Sequence, residues 1–157
     1  MPTSITTAGV VPRTACHRPR SPGRRGGAVV ELALTMGVLV SLTFGMVEFG
    51  YYFYTKNTLE GAAREGARAA IVSGATNTDV TTAVDAAMSA AGVPSSKYTT
   101  AVQDTSGNAL TVSSTTSGTA VVVKVTATWS TIGAGFRPMN YIGGTKTVLA
   151  SAVMRKE

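Results

Sequence analysis

Cysteine and histidine are nearly absent: the 157 residues hold one of each, Cys16 and His17. A single cysteine excludes an intrachain disulfide framework, and a single histidine excludes a His-rich metal site. Charge is sparse as well, with charged residues only 14% of the chain and mean hydropathy +0.19. That excludes a highly charged disordered polymer. Acidic residues are the scarcer sign, eight against fourteen Lys and Arg, a net of +6. Such an excess raises nucleic acid as a partner, and the distribution of the charge decides against it. Arg13, Arg18, Arg20, Arg24 and Arg25 lie in residues 1–27, which contain no acidic residue, so the other 130 residues carry a net of only +1. No basic helix or aromatic-and-basic surface follows. A basic leader on a near-neutral body is the pattern of a targeting or membrane-orienting segment. Pro2, Pro12, Pro19 and Pro22 interrupt that leader, and no apolar periodicity organises it.

What is present in quantity is one long apolar run. Residues 28–47, AVVELALTMGVLVSLTFGMV, include ten Leu, Val or Phe and a single charge, Glu31. Twenty helical residues span about 30 Å, the thickness of a bilayer core. The ten large apolar residues contribute roughly −3 to −6 kcal/mol toward insertion, which exceeds the roughly 2.5–3.5 kcal/mol cost of a central carboxylate. Glu31 and Glu48 are then expected near opposite interfaces. The arginines before the run outnumber the nearby cations after it (Lys56, Arg64 and Arg68), which places the N-terminus inside and the body outside. Six of the ten aromatics fall between Phe44 and Tyr54, as expected of an aromatic belt at the outer interface. A cleaved secretory signal fits less well, because the run is long, contains Glu31 and leads into Phe49-Gly50-Tyr51-Tyr52 without a small-x-small site. No apolar stretch precedes Cys16, so a lipoprotein reading fails too.

Glu31 has two readings: an intramembrane functional group, or a glutamate at a helix start that snorkels inward, toward the cytoplasmic side, and is favoured by the helix dipole. The residues before it are Arg24-Arg25-Gly26-Gly27. Together, RRGGAVVELAL resembles the processing site of type IV pilin-like precursors, which are cut after a glycine with glutamate at the fifth mature position. The resemblance implies a cut between Gly26 and Gly27 by a prepilin peptidase; the freed amine would be a cation in a low-dielectric interface, and Glu31 of a neighbouring subunit could pair with it. Farther on, FGMVEFGYYFYTKNTLEGAAREGARAA (44–70) is similar to the TadE-like family of Tad pilus assembly proteins, most specifically in AAREGARAA. The likeness spans residues 24–72, and Leu32 departs from it where the family usually has an aromatic. It implies pilin-like subunits and Tad apparatus components as partners, beside the membrane. Ala33, Gly37, Ser41 and Gly45 recur every four residues, a spacing that suits close approach of another helix, or simply reflects a chain rich in small residues.

Beyond the run, Thr55–Val72 reads as a helix with Glu60, Arg64 and Arg68 on a solvated stripe and Leu59, Ala62, Ala63, Gly66 and Ala70 on a packing stripe. If it continues the membrane helix, Gly50 is the place for a kink. Thr78 or Asp79 is expected to cap a second helix, Val80–Ala91, stopped by Gly92-Val93-Pro94. Val121, Val123, Val125, Ala127 and Trp129 alternate with polar positions as in a half-buried strand. Thr99–Gln103, Leu110–Ser114 and Thr147–Met154 are its expected partners, the first two joined by a turn at Ser106-Gly107-Asn108. The fold class is therefore α+β: a transmembrane helix extending outward, then a small domain with an antiparallel sheet. The expected divisions are a cytoplasmic leader (1–26), the membrane helix (27–50), its extension (51–74) and an extracytoplasmic domain (75–157).

Chemistry has little to work with. Without Cys or His after residue 26, Cys–His, Ser–His–Asp and common zinc mechanisms lack their residues, and no cofactor or catalytic residue is assigned. Gly133-Ala134-Gly135 and Gly143-Gly144-Thr145-Lys146 complete no nucleotide-loop motif. The expectation is a structural, pilin-like component of a Tad-type pilus or secretion apparatus in the bacterial cytoplasmic membrane, with a surface pilus as its further destination. The alternative is an unprocessed, membrane-anchored binding or adhesion module. An anchored enzyme using Ser/Lys or carboxylates is a third reading that no motif supports.

Overall fold

The computed structural model describes residues 24–132 and 142–157. The leader up to residue 23, with Cys16, His17 and three of its arginines, and the glycines 133 and 135 lie outside the described residues. The chain divides after Gly37, and the segments on either side are described separately.

Helix α1 is assigned as one element, Arg24–Ile71. Arginine, leucine, alanine and glutamate are good helix formers, and no proline interrupts the 48 residues. The helical assignment begins three residues earlier than expected and passes through Gly50 without a break. In the segment before Val38, Val29, Val30, Leu32, Leu34 and Met36 are all exposed.

From Val38 onward the chain builds a two-layer α+β domain. The packing stripe of α1 is buried as its spacing predicts: Leu59, Ala62, Ala63 and Ala70, joined by Ala67, are 0–2% exposed. Its opposite stripe carries the ion pairs Lys56–Glu60 (4.0 Å) and Arg64–Glu60 (3.7 Å), with Arg64 exposed and Lys56 and Glu60 half-buried. Helix α2, Asn77–Ala90, buries Val80, Val84 and Met88 at i, i+4 and i+8. Its N-cap is Thr76 rather than Thr78 or Asp79. Asp79 instead closes a capping box, its Oδ2 accepting from the Thr76 backbone N–H at 2.8 Å. At the other end Gly92 (φ 75°) and Val93 donate to the carbonyls of Ser89 and Met88, the paired bonds of a Schellman ending.

Three antiparallel strands follow in the order β1 (Thr99–Gln103), β2 (Ala120–Thr128), β3 (Thr147–Arg155). The register places Val102 opposite Val123 and Val123 opposite Ala152. Val121, Val123, Val125 and Ala127 are buried against the helices, as alternation requires. Trp129 is buried too, but it opens a short helix, α3 (Trp129–Ile132), instead of ending the strand. The expected strand at Leu110–Ser114 is not one. The chain there makes a single bridge, Gln103 to Ala109, and then a 3-10 turn at Val112–Ser114. Asn77 explains the difference, because its side chain takes the backbone groups a ladder would use. Its Nδ2 donates to the Leu110 carbonyl (3.0 Å) and its Oδ1 accepts from Val112 N–H (2.7 Å). Lys156, 8% exposed, donates its Nζ to the Val112 carbonyl and closes the clasp.

Candidate functional site

The residues with predicted roles lie along the first half of α1. Gly26, Gly27 and Glu31 are all exposed, as are Ala33 and Gly37 of the small-residue stripe. Ser41 and Gly45, the other half of that stripe, are half-buried within the second segment. The structure therefore does not present the four as one uniformly open face. The backbone at Gly26 and Gly27 is helical, not the extended peptide expected of a cleavage site. Two glycines make that turn cheap to open, since each costs a helix about 1 kcal/mol relative to alanine. Among the described residues, one helix is long and apolar enough to cross a membrane, and it is α1. The most apolar part of it has none of its residues buried within the protein.

Past that stretch, α1 changes character within one turn. Glu48 is 2% exposed, and its Oε1 accepts a hydrogen bond from the Ile142 backbone N–H at 2.9 Å. The carboxylate thus anchors the connection that leads into β3, a role that its expected place near an interface did not disclose. Tyr51 and Tyr52 follow on the same side. Their rings pack on Trp129 at centroid distances of 5.7 and 5.4 Å, and the Tyr51 hydroxyl donates to the Ile132 carbonyl at 3.3 Å. Part of the expected aromatic belt thus packs against the domain core. Phe49, Phe53 and Tyr54 keep 49–58% of their surface exposed.

Residues 26–68 resemble the TadE-like family. The family model described as TadE-like protein matches that stretch, which covers α1 from Gly26 to Arg68 and includes both Glu31 and Glu48. No curated protein and no solved structure shows significant similarity to the chain. The TadE-like match ends within the packing stripe of α1, before α2 and the sheet begin.

The TadE-like segment and the domain after it offer no cluster of metal-binding groups: no three His, Cys, Asp or Glu side chains come together among the described residues. The polar side chains with perturbed protonation are structural. Thr76 holds the Asp79 carboxyl below the usual carboxylate range, chiefly through its hydroxyl and then its backbone N–H. Asn108 does the same for Asp104, with further help from the backbone N–H groups of Ser106 and Gly107. The Tyr98 phenol is pushed upward, first by burial and then by its 2.5 Å bond to the Asp85 carboxylate. Sequence reasoning passed over Glu48 as a site residue. Its signal was present all the same: a lone carboxylate between an apolar run and an aromatic cluster needs a partner.

Proposed function

We propose that this protein is a non-enzymatic, pilin-like component of a Tad-type pilus or secretion apparatus, anchored in the bacterial cytoplasmic membrane by α1. One observation carries the reading: the helix long and apolar enough to cross a membrane is the same segment that the TadE-like family model matches. The positive leader puts the N-terminus inside, leaving the domain built on β1–β3 outside. A prepilin peptidase removes the leader after Gly26, and the mature chain, from Gly27, has 131 residues. The boundaries proposed for this topology are leader 1–26, membrane helix 27–50, extension 51–74 and outer domain 75–157. In the membrane, the freed Gly27 amine pairs with Glu31 of a neighbouring subunit, because a carboxylate at that depth is costly alone and much less so beside a cation. Ala33, Gly37, Ser41 and Gly45 supply the side on which subunit helices meet. Other pilin-like subunits and Tad components are the partners.

The N-terminal mass of the protein from membrane or pilus fractions tests this. A chain beginning at Gly27 is expected, and Gly26→Leu should accumulate precursor while Glu31→Ala matures but assembles poorly. Normal maturation and assembly of both variants would sink the pilin-like mechanism. A second reading, an unprocessed anchored adhesion module, is favoured by the helical backbone at Gly26 and Gly27, since a protease must first unwind it. An intact leader in the membrane fraction would decide for that module.

A further inference from the structure

A cleft of about 380 Å³ opens between α1 and the connection leading into β3. Phe49 and Tyr52 form one wall; Ile142, Gly143, Lys146 and Thr147 form the other. The volume falls within the range of small-ligand sites, and the walls are mostly apolar with one cation, Lys146. Two further features bear on its occupant. The cleft starts at Phe49, two residues past the end of the apolar run at Val47, so on the membrane reading it sits at headgroup depth. Leu42, Met46 and Phe49, at i, i+4 and i+7 on one face of α1, are all exposed and carry apolar surface from the run to the wall of the cleft. The nearest carboxylate in sequence, Glu48, is buried and accepts from Ile142 N–H, so it serves the wall.

We propose that this cleft holds the head region of an anionic phospholipid from the outer leaflet, with the glycerol and upper acyl chain against Phe49, Tyr52 and Ile142 and the phosphate beside Lys146. The proposal rests on α1 being a membrane helix. An apolar wall continuous with the lipid-facing helix selects an amphiphile over a soluble anion, and the lysine selects the anionic head over a zwitterionic one. A lysine at a membrane surface supports about a fivefold preference for anionic lipid.

Trp129 is the protein's single tryptophan, and its ring packs on Tyr52, a wall of the cleft. It therefore reports on a quencher bound there. The full chain is reconstituted in mixed phosphatidylglycerol–phosphatidylcholine vesicles in which a trace of one or the other carries brominated acyl chains. Brominated phosphatidylglycerol should quench Trp129 several-fold more than brominated phosphatidylcholine. Lys146→Gln should erase that difference without shifting the Trp129 emission maximum, and Lys146→Arg should retain it. Equal quenching by both lipids in the native protein would overturn the proposal. So would relief of quenching by inorganic phosphate, which marks a free-anion site, or its loss as protein density rises, which marks a second copy as occupant. Flotation of the same vesicles separates the two claims. If the protein floats but no lipid quenches, the cleft proposal fails and the anchor stands; if it does not float, the membrane reading itself fails.

Discussion

At the scale of single residues, the carboxylates divide by what they hold. Glu48 helps fix the start of the β3 connection, its Oε1 accepting from Ile142 N–H at 2.9 Å. Removing its acceptor leaves that donor without a partner, a loss of roughly 1–3 kcal/mol. Glu48→Ala should accordingly lower stability by that amount, while Glu48→Gln, which keeps an amide oxygen at the same reach, should lose less. Denaturant unfolding followed by Trp129 fluorescence measures both. Asp104 works in the open. Its Oδ1 accepts from the N–H groups of Ser106 and Asn108, both at 2.8 Å, and these bonds favour the ionised form. A carboxyl whose folded value lies below its ordinary 3.8 stabilises the fold above that value and gives the contribution up as pH falls through the folded value. Acid should therefore loosen the Asp104–Asn108 turn, seen as faster amide exchange at Ser106 and Asn108 below pH 3.8 than the intrinsic rate accounts for. Asp104→Asn should remove the pH dependence.

Among the elements, the tightest junction is at Gly66 of α1. A Cβ there would lie 2.6 Å from Val84 Cγ2 of α2 and 3.1 Å from Val123 Cγ1 of β2. Valine cannot swing aside cheaply, because its branched Cβ restricts χ1. Alanine at this position gains about 1 kcal/mol of helix propensity and meets an overpacking cost of about 1–3 kcal/mol. Gly66→Ala should thus be neutral to destabilising, and Gly66→Val plainly destabilising, with both read from the thermal midpoint. At Thr76, loss of the capping hydroxyl in Thr76→Ala should cost about 0.5–2 kcal/mol. These elements also show what a sequence discloses. The stripe Leu59–Ala70 and the alternation Val121–Ala127 were legible because burial imposes a period on them, 3.6 in one and 2 in the other. Strand β1 was found to the residue. The failure at Leu110–Ser114 has a different origin: Asn77, more than thirty residues away, claims the backbone there. The expected caps lie two and three positions past the real one because Thr76, Thr78 and Asp79 are all competent caps, and only the chain's path chooses among them. Tyr51 and Tyr52 read as an interfacial belt for the same reason, since their partner Trp129 is distant in sequence.

For the molecule as a whole, the distribution of apolar surface separates two kinds of work. Among the described residues, the buried hydrophobic core lies between Leu59 and Ala150. By contrast Val29, Leu32, Leu34, Val38 and Leu42 expose 56–70% of their surface. Apolar surface on that scale requires cover from lipid or from neighbouring helices, and it contributes nothing to the core. The C-terminus instead returns to α1: Glu157 N–H donates to the Ile71 carbonyl at 3.3 Å, next to the buried Lys156. Folding should then depend on the end of the chain and not on its beginning. A protein shortened to start at Val38 should keep Trp129 buried and unfold in detergent within a few tenths of a kcal/mol of the full chain, while losing its insertion into vesicles. Replacing Lys156 with alanine should do the reverse. It removes a charged donor from the Val112 carbonyl, which keeps its bond from Thr115 N–H at 3.2 Å, lowers stability by roughly 1.5–3 kcal/mol and spares insertion. Flotation and denaturant unfolding of the two proteins, side by side, measure both effects. If the shortened chain lost its fold, the residues before Val38 would be part of the domain's stability and not only its attachment.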